Sequence, residues 1–284
     1  MTDTTFVLRV EQDGFAIVPR VISADAVAAL IAAVEAISDG QGVRRRESVY
    51  AVRNLLDVPE VAELAQSSPV RALVSPVLGD DCFPVRGILF DKTADANWNV
   101  VWHQDLSIAV SEKVEADGFG PWSEKAGVIH VQPPTPILER MLTVRLHLDD
   151  CDETNGPVQV LPGTHRGGRL TNEQVQRCRR EGEAVACTVP SGGALLMRPL
   201  LLHASSASQI PRHRRVIHLE YAAETLPAGL EWHQLRQSEE ELEDISAYDA
   251  AMASGDEVVP FAVAIAEIEF DQAITEIDQR RGRS

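Results

Sequence analysis

The chain has 284 residues, 44% of them hydrophobic, with 43 acidic against 26 basic side chains and a formal net charge of −17. It is long and apolar enough for one large core or two modest domains, which excludes an intrinsically disordered chain. An acidic chain without a long basic run lacks the clustered Lys and Arg that displace counterions from a phosphate backbone, so neither nucleic acid nor an anionic membrane is an expected partner.

Val10 to Pro19 reads as a short helical turn running into a strand, because Gly14 is followed by the apolar run Phe15 to Val18 and then by Pro19. Ser23 is placed to cap a helix over Ala24 to Ser38, whose apolar positions Val27, Leu30, Ile31, Val34 and Ile37 recur at three and four, with Gly40 as its stop. Two further helices are predicted over Pro59 to Ala65 and Val70 to Leu78, the second interrupted by Pro76. Strand signals begin at Val85, where Gly87 to Phe90 is compact and apolar, and a long Gly-containing connection from Val110 to Pro136 reads as a lid loop.

Met141 to Asp149 alternates, with Leu142, Val144, Leu146 and Leu148 on one face and Thr143, Arg145, His147 and Asp149 on the other. Asn155-Gly156-Pro157, Pro162-Gly163-Thr164 and Ser191-Gly192-Gly193 are turn sequences, and Thr171 with Gln174 makes a capping box for a helix running towards Arg180. A second alternating strand covers Arg214 to Tyr221, and beyond Trp232 the run Glu239 to Asp244 reads as a solvated acidic helix face. Helices followed by many short strands predict an α+β chain with a sandwich or barrel core. Four scattered cysteines, no secretory-type start and no run of roughly 20 apolar residues make the expected setting cytoplasmic.

The most informative local pattern is Trp102-His103-Gln104-Asp105. On a strand, residues two apart project from one face, so His103 and Asp105 would offer an imidazole nitrogen and a carboxylate oxygen to one metal ion. His203, closing the apolar run Leu200 to Leu202, is the candidate third ligand, with His130 and His147 as competitors, while His165 and His213 read as exposed. Two histidines and one carboxylate match the facial set of non-haem Fe(II) oxygenases. Arg214 could grip a carboxylate through two parallel hydrogen bonds, and strand alternation groups it with His218 and Glu220; Ser205 shares a face with His203. Thr143, Arg145 and His147 either line a lumen or face water, and a lumen Arg145 would indicate an acidic substrate. Trp98 and Trp122 are candidate substrate contacts, Trp122 as part of the lid.

Gly14 to Pro19, His103-Gln104-Asp105, Asp152 to Pro157, Val160 to His165, His203-Ala204-Ser205 and Arg214 stand in the order found in the phytanoyl-CoA dioxygenase-like family, which the sequence resembles over about residues 12 to 222. The resemblance implies a double-stranded β-helix (jelly-roll, cupin-like) core within a single domain over 1–284. An N-terminal helical layer and a helical C-terminal extension over 223–284 would complete that domain. It implies Fe(II) held by His103, Asp105 and His203, and 2-oxoglutarate held by Arg214, with Ser205, Gln104 and Thr143 assisting. The expected reaction is O2-dependent hydroxylation of a small organic acid, amino acid or natural-product intermediate, with release of succinate and CO2. The carboxylate at position 105 argues for hydroxylation over halogenation. Arg145, Trp122 and Trp98 are the expected substrate contacts. The competing readings are a non-catalytic jelly-roll binding protein and a Zn(II) hydrolase built on the same ligands.

Overall fold

A computed structural model describes residues 5–37, 43–45 and 49–234, all within the unit Met1–Arg236. The acidic run Glu239 to Asp244, the chain beyond residue 234 expected to be helical, and the Gly40 stop lie outside the described residues. Among the described residues, no helix is long and apolar enough to cross a membrane.

The helices are α1 Thr5–Gln12, α2 Ala24–Glu35, α3 Pro59–Gln66, α4 Ser68–Leu78, α5 Thr135–Glu139 and α6 Asn172–Glu181. In the first half the strands are β1 Phe15–Val18, β2 Val43–Arg45, β3 Val49–Arg53, β4 Phe83–Lys92, β5 Val100–His103, β6 Ile108–Val110, β7 Trp122–Lys125 and β8 Val128–Val131. They continue with β9 Met141–His147, β10 Val158–Val160, β11 Val185–Cys187, β12 Ala194–Met197, β13 His203–Ser205 and β14 Arg214–Ala222.

Local chemistry explains several of these boundaries. Ser23 accepts from the Ala26 N–H to cap α2, which buries Val27, Leu30 and Val34 at the predicted spacing. Thr171 and Gln174 form the reciprocal capping box of α6. Pro76 does not interrupt α4: it stands in the last turn, and the Gly79 N–H still reaches Ser75 O at 2.9 Å, so one missing donor ends no helix. The expected lid loop is also corrected. Three short strands within residues 108–131 form a sheet in the order β6-β8-β7, residues 111–121 remaining a loop between β6 and β7, with positive φ at Ala126 and Gly127 turning β7 into β8.

The other strands form two antiparallel sheets, β1-β12-β9-β14-β4-β3-β2 and β11-β10-β13-β5. The seven-stranded sheet carries α1 to α4 on its outer face, where Leu142, Val144, Leu146, Leu148, Ile217, Leu219 and Tyr221 join the helices in the largest apolar cluster. Tyr221 keeps its buried hydroxyl satisfied by donating to Ala65 O at 2.9 Å. Since those leucines face the helices, period two turns Thr143, Arg145 and His147 inward, which decides the open question of that strand's orientation. All seven residues of β9 are buried. At one end the space between the sheets is apolar, filled by Val158, Val160, Cys187, Leu195 and Met197. At the other end it is polar.

Candidate metal centre

His103 and His203 lie directly opposite each other across β5 and β13, with ring centroids 4.2 Å apart. Asp105 follows the end of β5, its N–H donating to Pro199 O at 2.9 Å, and its carboxylate oxygens stand 3.6 Å from His103 Nε2 and 3.7 Å from His203 Nε2. Among the described residues these three form the one group whose ligand atoms lie within 4.8 Å of one another.

The tautomers are set for metal binding. His103 Nδ1 lies 2.8 Å from Val101 O and His203 Nδ1 lies 2.9 Å from Leu201 O, so each Nδ1–H donates to the carbonyl two residues back and each Nε2 lone pair faces the centre. Burial lowers the pKa of His203 to about 4. Burial would raise that of Asp105, but the neighbouring His203, His103 and His218 rings outweigh it and hold the carboxyl well below its ordinary range. Two imidazole nitrogens and an ionised carboxylate, converging at one edge of an open cavity, are a donor set that fits a divalent transition metal.

That cavity measures about 190 Å³ and is walled by the three ligands together with Phe90, Trp98, Arg145, Ser205, Arg214 and His218. Cross-strand register orders its floor into rungs. Arg214 pairs with Lys92, and Val216 lies between His147 and Phe90. His218 lies between Arg145 and Ile88, and Glu220 between Thr143 and Arg86.

At the Arg214 end, Arg214 Nη1 and Ser205 Oγ both donate to Gly156 O, the latter at 3.0 Å, and buried Lys92 donates to Ser205 Oγ at 2.8 Å and to Ser206 O at 2.5 Å. Gly156 can do this because it adopts φ 61°, and any Cβ there would run into Ser206 O. Burial, and then the charge of Arg214, lowers the Lys92 pKa to about 7. At the other end Arg86 pairs with Glu220, and Glu220 accepts from His218 Nε2 at 3.1 Å. His218 Nδ1 accepts from Arg145 Nη1 at 2.8 Å. One imidazole thus accepts on one nitrogen and donates on the other, which requires the neutral ring, and burial favours that form.

Of the predicted site residues, the cavity gathers His103, Asp105, His203, Arg214, Ser205, Arg145 and Trp98. Gln104 lies elsewhere: between two inward residues it points outward, donating to Gly168 O at 2.8 Å and Leu200 O at 2.6 Å and accepting from Leu170 N at 2.9 Å. Thr143 is on the inward face but outside the cavity wall, its hydroxyl buried without a partner. Trp122 packs with the three-stranded sheet's apolar cluster. The competing histidines separate cleanly. His130 lines a small separate cavity with Arg53 and His233, and buried His147 has no hydrogen-bond partner on either ring nitrogen and stands outside the cluster. His165 is half-buried and not exposed, its Nε2 3.2 Å from Glu11 O, whereas exposed His213 pairs with Asp91 at 2.7 Å. Lys92 and Arg86 were missed, although Lys92, Phe90, Ile88 and Arg86 share one period-two face and a cation at each end of an otherwise apolar face was the available signal.

A family model described as phytanoyl-CoA dioxygenase (PhyH) matches residues 10–216. A curated "Ectoine dioxygenase" of Bordetella bronchiseptica is 27% identical over 166 residues, 55% of this chain and 47% of that protein; the chain thus spans about half the length of the curated relatives it matches. Among solved structures, AviO1 from Streptomyces viridochromogenes superposes with a TM-score of 0.58 at 23% identity, covering 80% of this chain and 97% of that one. EctD from S. alaskensis with 2-oxoglutarate and 5-hydroxyectoine gives a TM-score of 0.60 at 22% identity, covering 76% and 74%. With the family model spanning nearly the whole described fold and including both His103 and His203, the chain belongs to the phytanoyl-CoA dioxygenase family.

Proposed function

We propose that the protein is an Fe(II)- and 2-oxoglutarate-dependent dioxygenase that hydroxylates a C–H bond of a small organic acid, amino acid or natural-product intermediate. The two sheets, each containing a four-stranded set, β12-β9-β14-β4 and β11-β10-β13-β5, support reading the core as a double-stranded β-helix. The observation that carries the function is the convergence of His103, Asp105 and His203 within 4.8 Å, beside an Arg214 whose guanidinium is buried and held by a carbonyl, not by a carboxylate.

In this reading His103, Asp105 and His203 hold the iron, and Arg214 with Ser205 takes the distal carboxylate of 2-oxoglutarate. Bound together, iron and 2-oxoglutarate supply the oxygen chemistry, in which substrate, O2 and 2-oxoglutarate become hydroxylated product, succinate and CO2. The protein supplies placement. Gly156 fixes the Arg214 guanidinium, Lys92 adds positive charge beneath Ser205, and Trp98 and Phe90 help shield the cavity from water. Arg214 and Lys92, which have no task in a Zn(II) hydrolase, have one here.

The test is anaerobic calorimetry of 2-oxoglutarate binding to the Fe(II)-loaded protein, followed by aerobic assay of succinate release. His103→Ala and Asp105→Ala should abolish metal binding and turnover, and Arg214→Gln should weaken 2-oxoglutarate by tenfold or more. Unchanged 2-oxoglutarate affinity in Arg214→Gln, or turnover surviving Asp105→Ala, would sink the reading.

A further inference from the structure

Among the described residues the inward face of the main sheet carries five cations, Lys92, Arg214, Arg145, Arg86 and Arg53, against one carboxylate, Glu220; Arg53 lines the separate cavity with His130. Glu220 is committed to Arg86. Lys92 and Arg214 share one rung with Ser205 between them, and two negative charges on a co-substrate would satisfy that end together with the metal. Asp105, facing from the other sheet, is engaged by the two histidines.

Arg145 remains. It is buried, its Nη1 donates to a neutral imidazole, its Nε has no hydrogen-bond partner, and among the described residues no carboxylate forms an ion pair with it, Asp105 acting on it only through space. A buried guanidinium left without an anion carries a desolvation penalty that a fold does not retain for packing alone. The surroundings hold it in place instead of neutralising it. His218 fixes one edge, and the Phe90 ring lies 5.6 Å from its central carbon.

Its position separates it from the co-substrate end. Along the backbone Arg145 is level with His218, four residues along β14 from Arg214, or roughly 13 Å of strand, although the Arg214 charge still reaches its guanidinium. It nevertheless lines the same cavity as the metal ligands.

We propose that Arg145 is the specificity-determining anchor of the primary substrate and receives a carboxylate group of that molecule. The planar guanidinium matches a carboxylate through paired hydrogen bonds, and the neutral His218, acting as an acceptor, orients the fork without competing for the anion. Glu220 behind His218 sets its tautomer and is held by Arg86, which itself lines the cavity, so the four side chains work as one positioning unit. This assignment rests on the dioxygenase reading above and narrows its substrate class to molecules bearing an acid.

The test loads the protein anaerobically with Fe(II) and 2-oxoglutarate and measures binding and thermal midpoint with matched probes: benzoate and benzamide, phenylacetate and phenylacetamide, hexanoate and hexanamide. Acids should bind and raise the midpoint while their amides do not. Arg145→Gln should weaken acid binding tenfold or more, Arg145→Lys should restore part of it, and both should bind 2-oxoglutarate within threefold of wild type, which also certifies their fold. Equal behaviour of acids and amides, no acid binding at all, or a tenfold loss of 2-oxoglutarate affinity in both Arg145 variants with acid preference intact would overturn the assignment. Failure of wild-type protein to bind 2-oxoglutarate would instead strike the dioxygenase reading, so the two failures are told apart.

Discussion

Replacing Gln104 separates a structural role from a co-substrate role. Its carboxamide is buried and fully used, with both N–H groups on the Gly168 and Leu200 carbonyls and its oxygen on the Leu170 N–H. These contacts tie the strand carrying His103 to two other segments. Each such bond is worth about 1 kcal/mol net, and a buried group left unpaired costs about 1–3 kcal/mol. Gln104→Ala removes three bonds at once and should lower stability by about 3 kcal/mol. For a domain of this size that corresponds to a fall in Tm of roughly 6–12 °C. Gln104→Glu should be no better, since it keeps the acceptor for Leu170 but turns a carboxylate oxygen towards two carbonyls. Urea unfolding monitored by circular dichroism measures the loss, and calorimetry at a temperature where each variant is folded should find 2-oxoglutarate affinity within threefold of wild type. A variant of unchanged stability that binds 2-oxoglutarate more than tenfold more weakly would refute this account and return Gln104 to the co-substrate.

Gly156→Ala should destabilise by about 2 kcal/mol or more, because a left-handed backbone and a Cβ collision with Ser206 O coincide there; it should also weaken 2-oxoglutarate, since Gly156 O holds both Arg214 and Ser205. Glu220→Gln should cost about 2 kcal/mol by leaving half-buried Arg86 without its carboxylate, and the double variant Arg86→Met/Glu220→Leu should recover most of that, as read by urea midpoints. The depressed Lys92 pKa makes a signed pH prediction. Above about pH 7 the folded chain has lost the Lys92 proton while the unfolded chain keeps it up to 10.5, so this group's contribution to stability rises with pH across that window. Wild type should therefore gain stability relative to Lys92→Met between neutral and mildly alkaline pH, and a difference that stays flat would show that Lys92 is not desolvated.

Much of the site was legible because it obeys short-range rules. The H-x-D spacing pointed to His103 and Asp105 converging, as they do, although β5 ends at His103 and Asp105 follows it. The apolar run before His203 marked a buried polar side chain, although Leu200 to Leu202 lie in the turn before β13 and His203 opens that strand instead of ending one. Where reasoning failed, the controlling information was long-range. Gln104 looked like a site residue by adjacency, but alternation pointed it away, and its partners lie 64 to 96 residues distant. Trp122 was placed in a lid because three strands as short as three or four residues leave little periodicity in a sequence. The orientation of Met141 to His147 could not be decided from its own pattern, since both of its faces are buried; only the packing of α1 to α4 assigns Leu142, Val144 and Leu146 to the outside.

The net charge of −17 acquires a different meaning once the inward face of the main sheet is known. A strongly acidic protein repels dicarboxylates at long range, so nothing general about its field would draw 2-oxoglutarate to this cavity. Attraction has to be local, and it is made so by burial. Lys92 and Arg214 stand where solvent screening is weak, and their charges act over a few ångströms with far greater strength than the same charges on the surface, while Arg145 is buried farther along the same face for a second anion. The same burial lowers the pKa of Lys92 to about 7 and that of Arg145 to about 10, in each case with the neighbouring Arg214 cation adding to the effect. Lys92 and Arg214, sharing one rung without full compensation, are under mutual repulsion that an arriving anion relieves. The cost of assembling them is thus borne by the fold before any ligand arrives, and part of it returns as binding selectivity for anions over their neutral isosteres.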